Sequence, residues 1–308
     1  MGSIIMEKEK PLHPQKTSLT LINPSYQTPK TSMLSFSFPP LPQPSSQKRL
    51  ENCKVQYQSI DNKEIYLLDD FFSKEEGQIV QHYSENASFS RNSYGSPEAI
   101  AKGEVPARSM DGKERWMFFS KPPHPVYEIY RLLSFLSHQL DAQISTLPWE
   151  LCDAHGHGSP SVIGNFIEQA SKESMLLGKH QDSNPQKGLP FAIPILYAST
   201  PTSYPASFEN GSTGFPWIVT IMLYTHAENF QPSFQMGTAF YDQAGNALSV
   251  EVRNMRLILF ESDLFHTIEA SDIPEDTKTW RVSYVFKLLI NPMKKEDLKK
   301  KLREFLLT

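Results

Sequence analysis

The sequence has few cysteines, no long apolar run and no excess of charge of one sign. Its two cysteines, Cys53 and Cys152, exclude a disulfide framework and a four-cysteine zinc site. No apolar run approaches the roughly 18 residues that a transmembrane helix needs, so no membrane association is expected. Lys and Arg number 30 against 34 Asp and Glu, a net charge of −4, which argues against a protein that coats phosphate backbones. These absences indicate a soluble, cytoplasmic protein.

The first 58 residues differ in composition from the rest of the chain. Eight of the 24 prolines lie there, and seven Lys or Arg against three Asp or Glu give this stretch +4, which leaves −8 on the remainder of the −4 total. Dense proline removes backbone donors, and few aliphatic residues are present to offset the entropy of ordering. We therefore predict a disordered Pro/Ser-rich tail over residues 1–58 and a single folded domain over 59–308. An organellar targeting segment and a proline-motif ligand are alternative interpretations of the tail.

The apolar pattern after the tail predicts helices first and strands later. Ser73 with Glu76 three residues on forms a capping box, and apolar residues recur at helical spacing farther along, so residues 64–150 are expected to provide helical support. Residues 160–290 contain short apolar stretches separated by Gly, Pro and Asn, which is typical of an antiparallel barrel or jelly roll. Amphipathic spacing over 294–307 predicts a C-terminal helix. The expected class is mainly β with flanking helices.

The spacing of histidine and carboxylate residues indicates a metal site in the strand-rich part. His180 and Asp182 are two residues apart, and on a strand or a strand end both side chains project to the same side. His266 follows the apolar strand 256–260 and a short turn, at the start of another strand. The H-x-H motif of His155–His157 is surrounded by glycines and followed by a proline, so we interpret it as a surface loop rather than a metal site.

A cationic strand follows His266. Arg281 and Ser283 alternate with apolar residues and therefore share one face of that strand. Because a guanidinium pairs bidentately with carboxylates, this face suits a bound dicarboxylate; pairing with a protein carboxylate is the alternative. Two histidines and one carboxylate leave open positions on an octahedral ion, as non-haem Fe(II) requires. Zinc would prefer a tetrahedral set with one open place, which serves hydrolysis, and the nearby arginine favours iron.

Taken together, these residues resemble the Fe(II)/2-oxoglutarate-dependent oxygenases, and within them the prolyl-4-hydroxylase-like branch. The resemblance extends over about residues 64–290. It includes the ordered set His180-x-Asp182, His266 and Arg281-x-Ser283, and the stretches Leu67–Glu76, Ile218–Tyr224 and Met236–Tyr241. The fold that this resemblance implies is a double-stranded β-helix, a jelly-roll or cupin-like core preceded by a helical N-terminal part.

The same resemblance implies a chemistry and a role for each matching residue. The implied roles are Fe(II) ligands at His180, Asp182 and His266, a site for the distal carboxylate of the co-substrate 2-oxoglutarate at Arg281, and its hydroxyl partner at Ser283 or Thr220. O2 would be the second co-substrate and ascorbate an optional reductant. The reaction expected is hydroxylation of a C–H bond, with a protein side chain as the substrate, as in the prolyl hydroxylases.

Three alternatives stay open at the level of sequence. One is a small-molecule hydroxylase of the same superfamily, and another is a catalytically inactive β-helix that binds partners, with the proline-rich tail as an interaction segment. The third is an AlkB-type demethylase, which the pattern of Asn165 and Arg281-x-Ser283-x-x-x-Lys287 also resembles. A nucleic-acid enzyme would need a basic stripe, and the −8 remainder lacks one, so this third alternative is disfavoured. The oligomeric state is not predicted.

Overall fold

The computed structural model describes ten stretches of the chain. They are residues 44–86, 89–91, 105–106, 108–110, 127–146, 165–170, 174–175, 179–187, 207–274 and 276–308. Residues 1–43 of the predicted tail and the predicted loop at His155–His157 lie outside the described residues.

Within these stretches the chain forms four α-helices, two short 3-10 helices and fourteen strands. The helices are α1 (Pro44–Asn52), α2 (Lys74–Asn86), α3 (Tyr127–Leu140) and α4 (Leu298–Leu307), and the 3-10 helices are Pro185–Lys187 and Pro232–Phe234. The strands are β1 (Lys54–Ile60), β2 (Lys63–Asp69), β3 (Phe89–Arg91), β4 (Val105–Pro106), β5 (Arg108–Met110), β6 (Ala142–Thr146), β7 (Asn165–Ala170), β8 (Ser174–Met175), β9 (Trp217–His226), β10 (Thr238–Tyr241), β11 (Ala247–Val250), β12 (Leu257–Glu261), β13 (Phe265–Ile268) and β14 (Arg281–Pro292). No helix in the described stretches is both long and apolar enough to span a membrane.

Antiparallel pairing assembles most of these strands into two sheets. The larger sheet has nine strands in the order β1-β2-β12-β9-β14-β7-β5-β3, with β6 also pairing with β14. The smaller sheet has the order β11-β10-β13, and β4 and β8 form a separate parallel pair. Mostly antiparallel sheets with a few helices confirm the predicted class, mainly β with flanking helices.

Side-chain alternation along the central strands divides the apolar residues into an inner and an outer core. The inner core lies between the two sheets and includes Tyr224 and Val285 from the larger sheet and Phe240 from the smaller one. The outer core includes Leu223 and Tyr284 from the opposite face of the larger sheet. It also receives the buried faces of α2, α3 and α4. Because β9 is covered on both faces, its sequence is a nearly continuous apolar run.

Hydrogen bonds of capping residues define the starts of α2 and α4. The predicted capping box is present at α2: the backbone N–H of Ser73 donates to Oε2 of Glu76 at 2.8 Å, and the N–H of Glu76 donates to Oγ of Ser73 at 3.2 Å. The C-terminal helix begins at Leu298 rather than at residue 294. Asp297 is its N-cap, because its side chain accepts a hydrogen bond from the backbone N–H of Lys300 at 3.0 Å.

The predicted disordered tail, residues 1–58, includes residues that are folded at its C-terminal end. Residues 44–58 form α1 and most of β1, and β1 pairs with β2 along its whole length. Arg49 makes a bidentate ion pair with Glu76 at 2.7 and 2.6 Å. Val55 and Tyr57 pack against the outer core. The prolines of residues 1–58 hide the period-two apolar positions near the end of this stretch, and the partner strand of those positions lies elsewhere in the sequence.

Candidate metal centre

A β-bridge between distant segments places His180 beside His266. The backbone N–H of His180 donates to the carbonyl oxygen of His266 at 3.0 Å, and the reciprocal bond measures 2.9 Å. Since β13 is the last strand of the smaller sheet, its outer edge has backbone groups free to pair with this segment. The centroids of the two imidazole rings lie 4.4 Å apart.

The three predicted metal ligands converge. Nε2 of His180 lies 3.9 Å from Oδ1 of Asp182, and Nε2 of His266 lies 4.0 Å from Oδ2. One ligand atom from each side chain lies within 4.8 Å of the other two. Nδ1 of His266 is 3.0 Å from the carbonyl oxygen of Leu264. A carbonyl oxygen only accepts, so Nδ1 must carry the proton, and the lone pair of Nε2 is available to a metal.

Burial and neighbouring charges set the protonation states of these ligands. Burial opposes ionisation of Asp182, but the charge of Lys287, followed by those of His266 and His180, holds the pKa of this carboxyl well below its usual range. Burial lowers the pKa of His266 to about 4, although Asp182 acts in the opposite direction. At neutral pH the carboxylate is therefore ionised and the imidazole neutral, which are the states that metal ligation requires.

Both carboxylate oxygens of Asp182 are held by protein groups. Nζ of Lys287 lies 2.6 Å from Oδ1, and Oγ1 of Thr220 donates to Oδ2 at 2.6 Å. Oγ of Ser262 is 3.0 Å from Oγ1 of Thr220, which extends this chain of hydrogen bonds to the turn between β12 and β13. The family resemblance offered Thr220 as a partner of 2-oxoglutarate, whereas in the structure its hydroxyl orients the carboxylate of Asp182.

Arg281 and Ser283 are buried on the inner face of β14, where they are 1% and 0% exposed. Nη1 of Arg281 donates to Oγ of Ser283, and the guanidinium carbon lies 5.3 Å from the ring centroid of Tyr224. The hydroxyl of Tyr224 is hydrogen-bonded to Thr238. Within the described stretches, Nε of Arg281 has no hydrogen-bond partner and no carboxylate forms an ion pair with this guanidinium. A buried cation without a counter-ion is costly, so the site suits a ligand that supplies a carboxylate.

The arginine and the metal centre face the same interior. Arg281, Val285 and Lys287 occupy odd positions of β14 and so lie on one face of that strand, and Val285 belongs to the inner core. The ring of Phe260 packs edge-on against that of His266, with centroids 5.0 Å apart. Such an apolar lining excludes water and strengthens the electrostatic interactions within it.

Two residues of this site, Lys287 and Tyr224, have contacts that the sequence analysis does not predict. The available signal for Lys287 is a lysine in an otherwise apolar strand, six residues after Arg281 and hence on the same face. Tyr224 ends an apolar run that fits an ordinary buried strand. No signal in the sequence distinguishes its phenol from that of a core tyrosine such as Tyr66.

Comparison with known proteins gave matches among solved structures alone, since no family model and no curated protein matches this sequence. A prolyl hydroxylase from Trichoplax adhaerens, in complex with a peptide fragment of the hypoxia inducible factor oxygen degradation domain, is 11% identical. The alignment covers 77% of this chain and 86% of that chain, with a TM-score of 0.41. HygX from Streptomyces hygroscopicus, with nickel and 2-oxoglutarate bound, is 12% identical, with the same coverages and the same TM-score.

A third similar structure is SnoK, a non-haem α-ketoglutarate-dependent carbocyclase from nogalamycin biosynthesis. It is 10% identical, with 74% of this chain and 79% of that chain covered and a TM-score of 0.44. The structures to which this chain is similar are therefore Fe(II)/2-oxoglutarate oxygenases, prolyl hydroxylases among them. At these identities and TM-scores the similarity concerns the fold alone, and the function has to be derived from the site.

Proposed function

We propose that this protein is an Fe(II)- and 2-oxoglutarate-dependent oxygenase. His180, Asp182 and His266 would hold the iron, and Arg281 would bind the distal carboxylate of 2-oxoglutarate. The observation that carries the proposal is a convergent two-histidine, one-carboxylate cluster, together with a buried arginine that lies on the same face of β14 as Lys287 and has no carboxylate partner in the described stretches. A hydrolytic zinc site would explain the cluster and leave the buried arginine without a role.

The donor set fits iron better than the alternatives. Two imidazoles and one carboxylate on one side of an octahedral ion would leave open positions for a 2-oxo acid and for O2. When bound, the iron would supply the activation of O2 that hydroxylation of an unactivated C–H bond requires. Thr220 and the backbone carbonyl of Leu264 orient the ligand atoms, which is the task of the groups around a metal site.

The residues of β14 and β9 bind and orient the diacid. The guanidinium of Arg281 offers donors in a planar fork, of which Nε has no partner in the described stretches. Ser283 brings a hydroxyl group to Nη1 of this guanidinium, and the ring of Tyr224 lies 5.3 Å from the guanidinium carbon. Phe240 and Phe260 of the inner core pack edge-on against each other, and Phe260 also packs against His266, so apolar groups limit the access of water on this side of the metal ligands.

The substrate that we propose is a C–H bond of a protein side chain. Support for this choice comes from the stretches of the sequence that resemble prolyl hydroxylases, of which Leu67–Glu76 is the longest. A small-molecule substrate would use the same iron chemistry. To distinguish the two, peptides and metabolites from a cell extract would be treated with the enzyme and searched by mass spectrometry for the gain of one oxygen atom.

The test of the oxygenase assignment is uncoupled turnover. Succinate formed from 2-oxoglutarate in the presence of Fe(II) and ascorbate would be measured for the wild type, for His180→Ala and for His138→Ala, a histidine exposed on α3. We expect succinate from the wild type and from His138→Ala, and none from His180→Ala. Equal turnover in all three would contradict the assignment. Iron binding that depends on His180 without any succinate would instead support an inactive binding protein.

A further inference from the structure

The turn between β12 and β13 holds the segment that carries His180 and Asp182. The backbone N–H of Ser183 donates to the carbonyl oxygen of Ser262 at 3.1 Å, and Nε2 of Gln181 donates to that of Asp263 at 2.5 Å. The side chain of Ser262 reaches Asp182 through Thr220, as described above. The geometry of the metal ligands therefore depends on the conformation of residues 261–264, which we name the support turn.

Two buried carboxylates of this support turn pair with two partly buried lysines. Oε2 of Glu261 accepts a hydrogen bond from Nζ of Lys299 at 2.8 Å, and Oδ2 of Asp263 pairs with Nζ of Lys63 at 2.6 Å. Nζ of Lys63 also lies 3.6 Å from Glu261. Asn210 donates to the second oxygen of Asp263 at 2.9 Å. The two lysines come from β2 and α4, at opposite ends of the folded chain.

The two lysines neutralise two carboxylates that lie close together. The side chains of Glu261 and Asp263 are 0% and 3% exposed and stand two residues apart, so that they repel each other where water cannot screen them. A buried charge that loses its partner is strongly destabilising. Without Lys299, Lys63 alone would face two carboxylates, and the support turn would relax or take up a proton to restore neutrality.

We propose, resting on the metal site of the proposed function, that Lys63 and Lys299 are positioning residues of that site. They neutralise Glu261 and Asp263, which keeps the support turn in the conformation that aligns the metal ligands. The C-terminal helix α4 thus contributes to metal binding through Lys299, although it supplies no ligand atom.

The test measures the affinity of the purified full chain for Co(II), followed by its visible absorption, in wild type and four variants. Lys299→Met removes the charge, and Lys299→Arg keeps it. Lys300→Met is the matched control, because Lys300 lies on the same helix, is 68% exposed and pairs with the exposed Glu304. His180→Ala reports on the metal site itself. We expect Lys299→Met to bind Co(II) about tenfold more weakly, at the lower end of the range for groups that orient metal ligands.

Lys299→Arg and Lys300→Met should bind Co(II) as the wild type does. The Michaelis constant for 2-oxoglutarate should be unchanged in Lys299→Met, because the contacts of Arg281 are to Ser283 and Tyr224 and not to this charge group. A lower melting temperature for Lys299→Met with unchanged Co(II) affinity would show a merely structural role and overturn the inference. If Lys299→Met does not fold, Lys299→Gln replaces it, and wild-type affinity in that variant overturns the inference equally. Unchanged affinity in His180→Ala would instead overturn the metal site itself.

Discussion

Nζ of Lys287 lies 2.6 Å from Oδ1 of Asp182, so that an ammonium group pairs with the carboxylate at the centre of the candidate metal site. Both side chains are nearly buried, at 11% and 5% exposure. In the metal-free protein this pair neutralises a buried carboxylate whose other oxygen accepts a hydrogen bond from the uncharged hydroxyl of Thr220. A metal ion bound at the same carboxylate would be a second cation beside Lys287 and would be repelled by it. Lys287 therefore stabilises the metal-free protein and lowers its affinity for a metal ion.

Replacing Lys287 by Met should therefore destabilise the metal-free protein by about 3 kcal/mol, because it leaves a buried carboxylate without its partner. Co(II) should stabilise this variant more than it stabilises the wild type, since no ammonium group then competes for the carboxylate. Urea unfolding with and without Co(II) measures both effects. Lys278→Met, at an exposed position, is the control and should change neither. A metal-free Lys287→Met protein as stable as the wild type would contradict the prediction.

Thr220→Val removes the hydroxyl that donates to Asp182 and keeps the shape of the side chain. We expect a loss of about 2 kcal/mol of stability, as for a hydrogen bond to a charged group, and a loss of about tenfold in Co(II) affinity. Thr225→Val is a matched control on the same strand, because it removes a hydrogen bond to Asn254 that is remote from the ligands. Thr225→Val should lose stability alone. Equal effects of the two variants on Co(II) affinity would argue against the orienting role of Thr220.

Arg281→Met should abolish measurable binding of 2-oxoglutarate and at the same time raise the stability of the ligand-free protein by about 1 kcal/mol. The reason is that the replacement removes a buried charge that has no counter-ion within the described stretches. Calorimetric titration with 2-oxoglutarate and thermal unfolding are the two measurements. A large loss of stability would indicate that Arg281 has a structural carboxylate partner instead.

The metal-free protein should lose stability as the pH falls from about 6.5 to 4. His266 has a pKa of about 4 in the folded protein against an ordinary value of 6.5, so the unfolded chain binds the extra proton in this window and is favoured as the pH falls. The difference corresponds to about 3 kcal/mol. Urea unfolding in the presence of a chelator, at several pH values, should show this slope in the wild type and a smaller one in His266→Gln. Identical slopes would rule out His266 as the source.

Cys53 should react slowly with thiol reagents, because burial raises the pKa of its thiol to about 12 and Sγ donates to the carbonyl oxygen of Asp69 at 3.0 Å. In a Cys152→Ser variant at about pH 8, where an ordinary thiol reacts readily, iodoacetamide should label the folded protein far more slowly than the urea-unfolded chain. Equal rates would mean that α1 and β1 are not docked on the outer core.

Much of the fold could be predicted because its signals are local. The capping box of Ser73 and Glu76 spans four residues, and the apolar runs of β9 and β14 are long enough to be identified as strands. The folding of residues 44–60 into α1 and β1 could not be predicted, since four partly buried side chains there, Leu50, Cys53, Val55 and Tyr57, pack on the outer core and β1 depends on a partner strand.

Spacing along the chain is enough to pair side chains that are close in sequence: two residues separate His180 from Asp182, which places both on one side, and the same period of two aligns Arg281 with Ser283. The partners of these residues follow from the folded chain alone. The bridge that brings His266 to His180, and the pairing of Lys287 with Asp182, follow from how strands distant in sequence are registered. That register is set by burial of the inner and outer cores, a property of the whole folded chain that no short stretch contains.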